Sequence, residues 1–152
     1  MKQQEVTPGF RNRQTFPLFE QLVEAVRGWE LDFRQLGEAS FPFLLEQYAT
    51  PQMLYSRVRF GSRFHQMGGP VAGFRTFALQ VSGSSDFQWC GLPVKHHSLI
   101  VFPAGGEFES VTLPGFAVFT LSLATGLLES VAEKVFDRHL TDFLSSGGFV
   151  CD

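Results

Sequence analysis

Hydrophobic residues recur at every second position through much of this chain, which is the spacing of a half-buried β-strand. The alternation starts at Trp29, Leu31 and Phe33, which charged residues separate. Further extended runs follow, divided by turn-forming Gly, Pro and Ser. They are predicted at residues 41–49, 53–60, 74–81, 87–90, 98–102, 108–113 and 116–123. Short strands with a turn every 8–12 residues or so are typical of a sandwich or small barrel, so the pattern predicts a mainly β, antiparallel barrel or jelly roll.

A helical period flanks these strands on both sides. One face of the first candidate helix, predicted over residues 16–26 with Gly28 as its C-cap, is apolar. That face consists of Phe19, Leu22, Val23 and Val26. After the last strand, Thr125 is a suitable N-cap for a second helix. The apolar face of this second helix consists of Leu127, Leu128, Val131 and Val135. A further helical piece is predicted at residues 140–144, so one or two C-terminal helices are expected.

The chain is expected to be one domain with two short appendages, because 152 residues is an ordinary domain length. Residues 1–15 are predicted as a polar N-terminal arm. Residues 16–124 hold the first helix and the barrel. Residues 125–152 form the C-terminal helical segment, which ends in the linker-like stretch 145–148 of Ser and Gly.

Phenylalanine dominates the composition, with 18 Phe against 2 Trp and 2 Tyr. Such a chain has either an aromatic core or a cavity lined by aromatic rings. Residues predicted to point into the barrel, where a small ligand would bind, are Trp29, Phe33, Phe60, Phe77, Trp89, Phe102 and Phe119. Arg57 joins this set as the side chain that would hold a carboxylate ligand if it pointed inward, although burial cost favours an outward orientation.

No metal or cofactor is predicted. A metal-binding cupin barrel carries H-x-H and a P-x-G turn followed by another His. Here the turn is present at residues 103–105, but Phe108 stands where that His would be, and no H-x-H occurs. The adjacent pair His96 and His97 would point to opposite faces of a strand, which disfavours a shared ion. Neither a nucleophile elbow nor a Cys–His spacing is present, so an enzyme is not expected.

Charge and the N-terminal sequence limit the partners and the compartment. The net charge is −3 and the pI about 5.8, which argues against nucleic-acid binding by this chain. Residues 110–128 are uncharged over nearly the length of a membrane-spanning helix, but Pro114-Gly115 and several hydroxyl residues interrupt them. A strand followed by a helix start accounts for this stretch better. With no signal peptide and two cysteines, a soluble cytoplasmic protein is expected.

Several segments together resemble the N-terminal domain of AraC/XylS-type transcription regulators. Residues 28–36 are similar to the family's link between its first helix and first strand, and Trp89-Cys90-Gly91 is similar to its W-x-G. Arg57, Arg59, the segment 66–70 and the segment 77–79 follow in the same order, and 99–119 is similar to the family's long strand pair. The resemblance spans roughly residues 16–128.

The resemblance implies a cupin-like β-barrel that senses a small molecule and forms a homodimer through a helical pair after the barrel. Leu127, Leu128, Val131 and Val135 are then the expected dimerisation face. DNA would be contacted only by a C-terminal helix-turn-helix domain, which this sequence lacks. Two alternatives stay open: a metal-free cupin-like enzyme, which needs an ionisable cluster inside the barrel, and an interaction module with a fully packed interior.

Overall fold

The computed structural model describes residues 7, 9–82 and 87–152. Two α-helices and twelve strands are found in this part of the chain. The helices are α1 (Phe19–Ala25) and α2 (Thr125–Phe136), and a short 3-10 helix spans Leu140–Asp142. The first six strands are β1 (Arg11–Phe16), β2 (Glu30–Gln35), β3 (Phe43–Thr50), β4 (Met53–Arg59), β5 (Phe64–Gly69) and β6 (Phe74–Ser82). The others are β7 (Gln88–Trp89), β8 (Leu92–Pro93), β9 (Leu99–Val101), β10 (Phe108–Thr112), β11 (Ala117–Ala124) and β12 (Phe149–Cys151).

These strands form two antiparallel sheets. The larger has seven strands in the order β1-β3-β4-β11-β6-β9-β12, and the smaller has five in the order β2-β5-β10-β7-β8. The inner faces of the two sheets meet in one aromatic-rich core, to which both contribute, for example through Leu45 and Phe64. The expected mainly β, jelly-roll-like fold is confirmed. The expected closed barrel is corrected: among the described residues the two sheets remain separate, each with its own edges.

Residues 11–15, predicted as part of a polar arm, form an edge strand together with Phe16 instead. β1 pairs with β3 from Arg11↔Tyr48 to Phe16↔Phe43. Most of its side chains are exposed, because only one side of an edge strand has a partner and the polar residues face water. This is why hydrophobic patterning did not indicate it. Residues 1–6 and 8 of the predicted arm, and residues 83–86 between two predicted strands, lie outside the described residues.

Strand β5 was also absent from the predicted set, and its position is central to the smaller sheet. It pairs with β2 and β10, so both of its edges are hydrogen-bonded. Its inward residues include Gln66, and it ends in Gly68-Gly69, a pair of residues more typical of turns. The polar inward residue and the glycines conceal the alternation that a strand otherwise shows.

The predicted helices are present with shifted ends. α1 is shorter than the predicted 16–26, because β1 continues to Phe16 and Pro17 precedes the helix. α2 begins at Thr125 itself, and the Thr125 hydroxyl donates to the Gly73 carbonyl instead of capping the helix. The predicted piece at 140–144 is the single 3-10 turn.

Candidate functional site

A small cavity lies between the two sheets. Its volume is about 60 Å³, which is room for a few water-sized atoms. The lining is dominated by rings and aliphatic side chains. Six phenylalanines and both tryptophans contribute: Phe33, Phe60, Phe87, Phe102, Phe108, Phe116, Trp29 and Trp89. Aromatic side chains thus fill most of the interior, and only a small cavity remains between them.

Phe102 is the centre of the ring cluster. Its ring centroid lies 4.7 Å from that of Phe108, 5.3 Å from Trp89 and 5.6 Å from Trp29, and all three contacts are edge-on. Edge-to-face packing places the positive rim of one ring against the negative face of the next, which favours this arrangement. Phe108, at the position where a metal-binding barrel would have His, is therefore a packing residue of the cavity wall.

One row of residues crosses the larger sheet beneath the cavity. The register aligns Gln47 with Ser56, Ser56 with Thr120, Thr120 with Ala78 and Ala78 with Ile100. All five line the cavity. The row passes from polar to apolar across five strands, so the polar part of the wall is concentrated on β3, β4 and β11.

Gln47 is the most thoroughly bonded polar side chain of this row. Its Oε1 accepts from the Arg27 backbone N–H at 2.9 Å, and its Nε2 donates to the Arg27 carbonyl at 3.1 Å and to Ser56 Oγ at 2.9 Å. The side chain is fully buried. The Gln47 side chain therefore links the turn between α1 and β2 to the larger sheet by hydrogen bonds. These bonds hold the end of α1 beside the cavity.

Two polar atoms of the lining residues have no hydrogen-bond partner among the described residues. They are the indole Nε1 of Trp89 and the hydroxyl Oγ1 of Thr120. The residues are 2% and 8% exposed, respectively. Leaving a buried polar group unpaired is costly, which is why such groups in a folded protein call for an explanation.

Ionisable side chains are absent from the cavity lining as far as the structure describes the chain. Its polar members are Gln47, Ser56, Gln66 and Thr120, together with the Trp89 indole N–H. Gln66 donates to Ser110 Oγ at 2.8 Å. The wall thus offers hydrogen bonds and apolar contact, and no described residue in it carries a charge.

Five of the eight predicted ligand-binding residues line the cavity, and three do not. Trp29, Phe33, Phe60, Trp89 and Phe102 are part of the wall. Arg57, Phe77 and Phe119 lie on the outer face of the larger sheet, since their neighbours Ser56, Val58, Ala78, Val118 and Thr120 point inward. Successive residues of a strand point to opposite faces, so a residue beside an inward one cannot share its orientation.

Arg57 and Phe119 belong to an outer cluster. Arg57 lies 3.7 Å from the Glu46 carboxylate, which also pairs with Arg13 at 2.8 Å. The Phe119 ring packs near Tyr55 at 6.4 Å. Burial raises the pKa of Tyr55, and the Glu46 charge adds to the effect. Arg57 therefore has its charge partner outside the cavity.

Sequence reasoning missed Gln47, Ala78 and Thr120 as wall residues. Each is polar or small, whereas the composition directs attention to aromatic rings. The alternation along β4 nevertheless contains this information. The same alternation that directs Val58 and Phe60 inward also directs Ser56 inward. Pairing then brings Gln47 and Thr120 to the same face, but the pairing itself is long-range information.

The C-terminal segment packs over the Trp89 end of the site. β12 pairs with the short strand β9, and the backbone at Gly148 lies so close to Trp89 that a Cβ there would be 2.6 Å from the indole ring. Asp152 bonds Lys95 and, at 2.5 Å, Ser98. Hydrogen bonds from Lys95 and Ser98 lower the pKa of Asp152. Gly148 thus lies against the outer side of the Trp89 ring, and Val150 packs against the core.

The predicted dimerisation residues divide into two groups. Leu127 and Leu128 are half-buried, whereas Val131 and Val135 are exposed, Val135 to 66%. Phe136 next to them is also exposed and contacts the Phe143 ring at 5.4 Å. The first turn of α2 therefore packs on its own domain, and the second half presents apolar side chains outward.

Features of metal sites and of membrane-spanning helices are absent from the described residues. Across residues 7, 9–82 and 87–152, no three His, Cys, Asp or Glu side chains are gathered as metal ligands would be. His96 and His97 are both exposed, but they lie in a turn with their ring centroids 4.3 Å apart, so the prediction that they point to opposite faces of a strand is wrong. None of the described helices has the length and apolar character needed to cross a membrane.

Fold and cavity together define the class: an antiparallel, jelly-roll-like β-sandwich with a small apolar interior. A solved structure with a similar fold is that of the AraC-like transcriptional activator CuxR, with a TM-score of 0.58 and 14% sequence identity. The match covers 82% of this chain and 51% of the CuxR chain, so this chain spans about half the length of CuxR. At this identity the likeness establishes a shared fold. No protein-family description and no curated protein matches the sequence.

Proposed function

We propose that this chain is the effector-sensing domain of a cytoplasmic AraC-type transcription regulator. A small molecule would bind in the cavity between the sheets, and α2 would join two copies. DNA would be contacted by a different part of such a regulator. The fold shared with CuxR and the sequence resemblance support the class, and the apolar cavity between the sheets is the observation that carries the sensing function.

The composition of the cavity wall favours sensing over the alternatives. A metal-free enzyme would need an acid or base at the reacting centre, and the described wall residues include none. An interaction module with a filled interior would have no cavity. Binding sites for small molecules are commonly concave and apolar with a few placed polar groups, as this one is.

Filling the cavity with a side chain of the protein itself is expected to abolish ligand binding. Ala78→Val adds two methyl groups beside Thr120, where the open space lies. In a melting-temperature panel of neutral and charged metabolites, we expect at least one compound to raise the melting temperature of the unmodified protein. Ligand at 100 times its dissociation constant adds about 2.7 kcal/mol. The A78V variant should show no such rise.

Ala124→Val is the matched control, since it makes the same chemical change at a half-buried residue that does not line the cavity. It should respond to the ligand like the unmodified protein. A panel without any stabilising compound counts against the proposed function. A compound that stabilises A78V and the unmodified protein equally places the binding site elsewhere.

The exposed half of α2 is expected to hold a homodimer together. Val131→Asp places a charge beside Val135, one turn further along the helix, and burying that charge in an interface is costly. In sedimentation velocity we expect the unmodified chain to form dimers and V131D to form monomers, with unchanged circular dichroism. Glu133→Lys, at an exposed position on the opposite side of the same helix, should stay dimeric. A V131D dimer, or an unmodified monomer, overturns the role of this face.

A further inference from the structure

Two residues that line the cavity each carry a buried polar atom without a described partner, and these atoms point to the chemical class of its ligand. We infer that the cavity binds a neutral, largely apolar molecule of about one ring, with a carbonyl or hydroxyl oxygen that pairs with the Trp89 indole N–H or the Thr120 hydroxyl. The inference rests on the proposed function, since it describes the effector of the same cavity.

The absence of charge in the described wall is the first step. A charged ligand in an apolar enclosure loses its hydration and needs an opposite charge or several strong donors in return. The wall residues that the structure describes supply neither, and Arg57 is paired with Glu46 on the outer face. A carboxylate or ammonium ligand is therefore disfavoured relative to its neutral analogue.

The unpaired donors are the second step. An indole N–H can only donate, so it requires an acceptor such as an oxygen. The Thr120 hydroxyl can donate or accept, and it lies in the middle of the larger sheet, with β4 on one side and β6 on the other. A ligand oxygen would satisfy groups that have no other described partner, which makes recognition specific for polar over purely apolar rings.

Size is the third step. A cavity of about 150 Å³ accepts benzene, whereas this one measures about 60 Å³. A single ring can thus enter only if wall side chains shift, and larger ligands would need more extensive rearrangement. Rings that are held by edge contacts, such as Phe102 and Phe108, are the groups that a ligand would displace.

Four small aromatic probes test separately whether the ligand must be neutral and whether it must carry a polar oxygen. Phenol and toluene have the same shape and differ in the hydroxyl, and benzamide and benzoate differ in charge. The chain has two tryptophans, so its ¹⁵N spectrum holds two indole N–H signals, which Trp89→Phe assigns. We expect phenol and benzamide to shift the Trp89 signal and to bind about tenfold more tightly than toluene and benzoate, a difference of about 1.4 kcal/mol.

Thr120→Val removes the hydroxyl and keeps the shape of the side chain. It should reduce the preference for phenol over toluene and leave toluene binding unchanged. Thr112→Val is the matched control, because Thr112 is also buried with an unpaired Oγ1 but does not line the cavity. It should leave both affinities as they are.

The outcomes distinguish this inference from the proposed function. Benzoate binding as tightly as benzamide overturns the neutral class. Equal binding of phenol and toluene overturns the role of the polar atoms. If neither phenol nor benzamide binds at millimolar concentration, the inferred class is wrong. The proposed sensing function is tested separately, by the metabolite panel. A ligand of another class that stabilises the unmodified protein but not A78V would still support it.

Discussion

Replacing Phe102 with alanine is expected to lower the free energy of unfolding by about 3–5 kcal/mol. The side chain is buried and contacts Trp29, Trp89 and Phe108 through edge-on ring pairs. Its removal loses the transfer free energy of the ring. It also enlarges a cavity that already exists, and the cost of that larger cavity adds to the loss of stability. Urea unfolding followed by tryptophan fluorescence measures the change, because both tryptophans adjoin the site.

Phe41→Ala is the control for this prediction. It deletes the same side chain from an exposed position ahead of β3, 52% accessible and away from α2. We expect its effect on unfolding to stay below about 1 kcal/mol, as for most surface substitutions. A loss in F102A no greater than that of F41A would mean that the ring cluster contributes little to stability.

The second large effect is expected for Gln47→Met. Methionine has a similar length, so packing is largely kept while the hydrogen bonds to Arg27 and Ser56 disappear. The Arg27 backbone groups are only partly buried, but Ser56 is buried, and we expect a loss of about 2–4 kcal/mol from the groups left unpaired. Hydrogen exchange should show the turn between α1 and β2 opening first, since Gln47 joins it to β3.

Gln52→Met is the matched substitution at an exposed turn between β3 and β4, and it should change stability by less than about 0.5 kcal/mol. A Q47M variant as stable as Q52M would show that the Gln47 hydrogen bonds have no net stabilising effect. Accelerated exchange confined to the 27–29 region, with global stability unchanged, would restrict their role to local order.

The cavity and the unpaired Thr120 hydroxyl both lower the stability of the fold. A protein optimised for stability would pair the Thr120 hydroxyl or replace it, and it would fill the remaining space with another methyl group. This chain does neither at the centre of its larger sheet. Sites that bind ligands commonly carry such costs, because groups satisfied by the ligand have no partner without it.

The contrast between Phe33 and Phe119 shows how far local patterning predicts this site. Phe33 belongs to a strand with strict alternation, so its inward orientation follows from its neighbours Glu30, Asp32 and Arg34. Phe119 lies in an almost uncharged strand where either face could be the buried one. Only the pairing of β11 with β4 and β6, both remote in sequence, places Thr120 inward and Phe119 outward.

Local sequence patterns are enough to predict the mainly β class, most strand positions, both helices and the aromatic character of the interior. These follow from hydrophobic period and turn chemistry, which act over a few residues. Long-range strand pairing sets the rest: the sheets stay open, Arg57 pairs with Glu46 outside the cavity, and one row beneath the cavity holds Gln47, Ser56, Thr120 and Ala78. These features depend on strand pairing between distant segments, and on which side of each uncharged strand the rest of the chain covers.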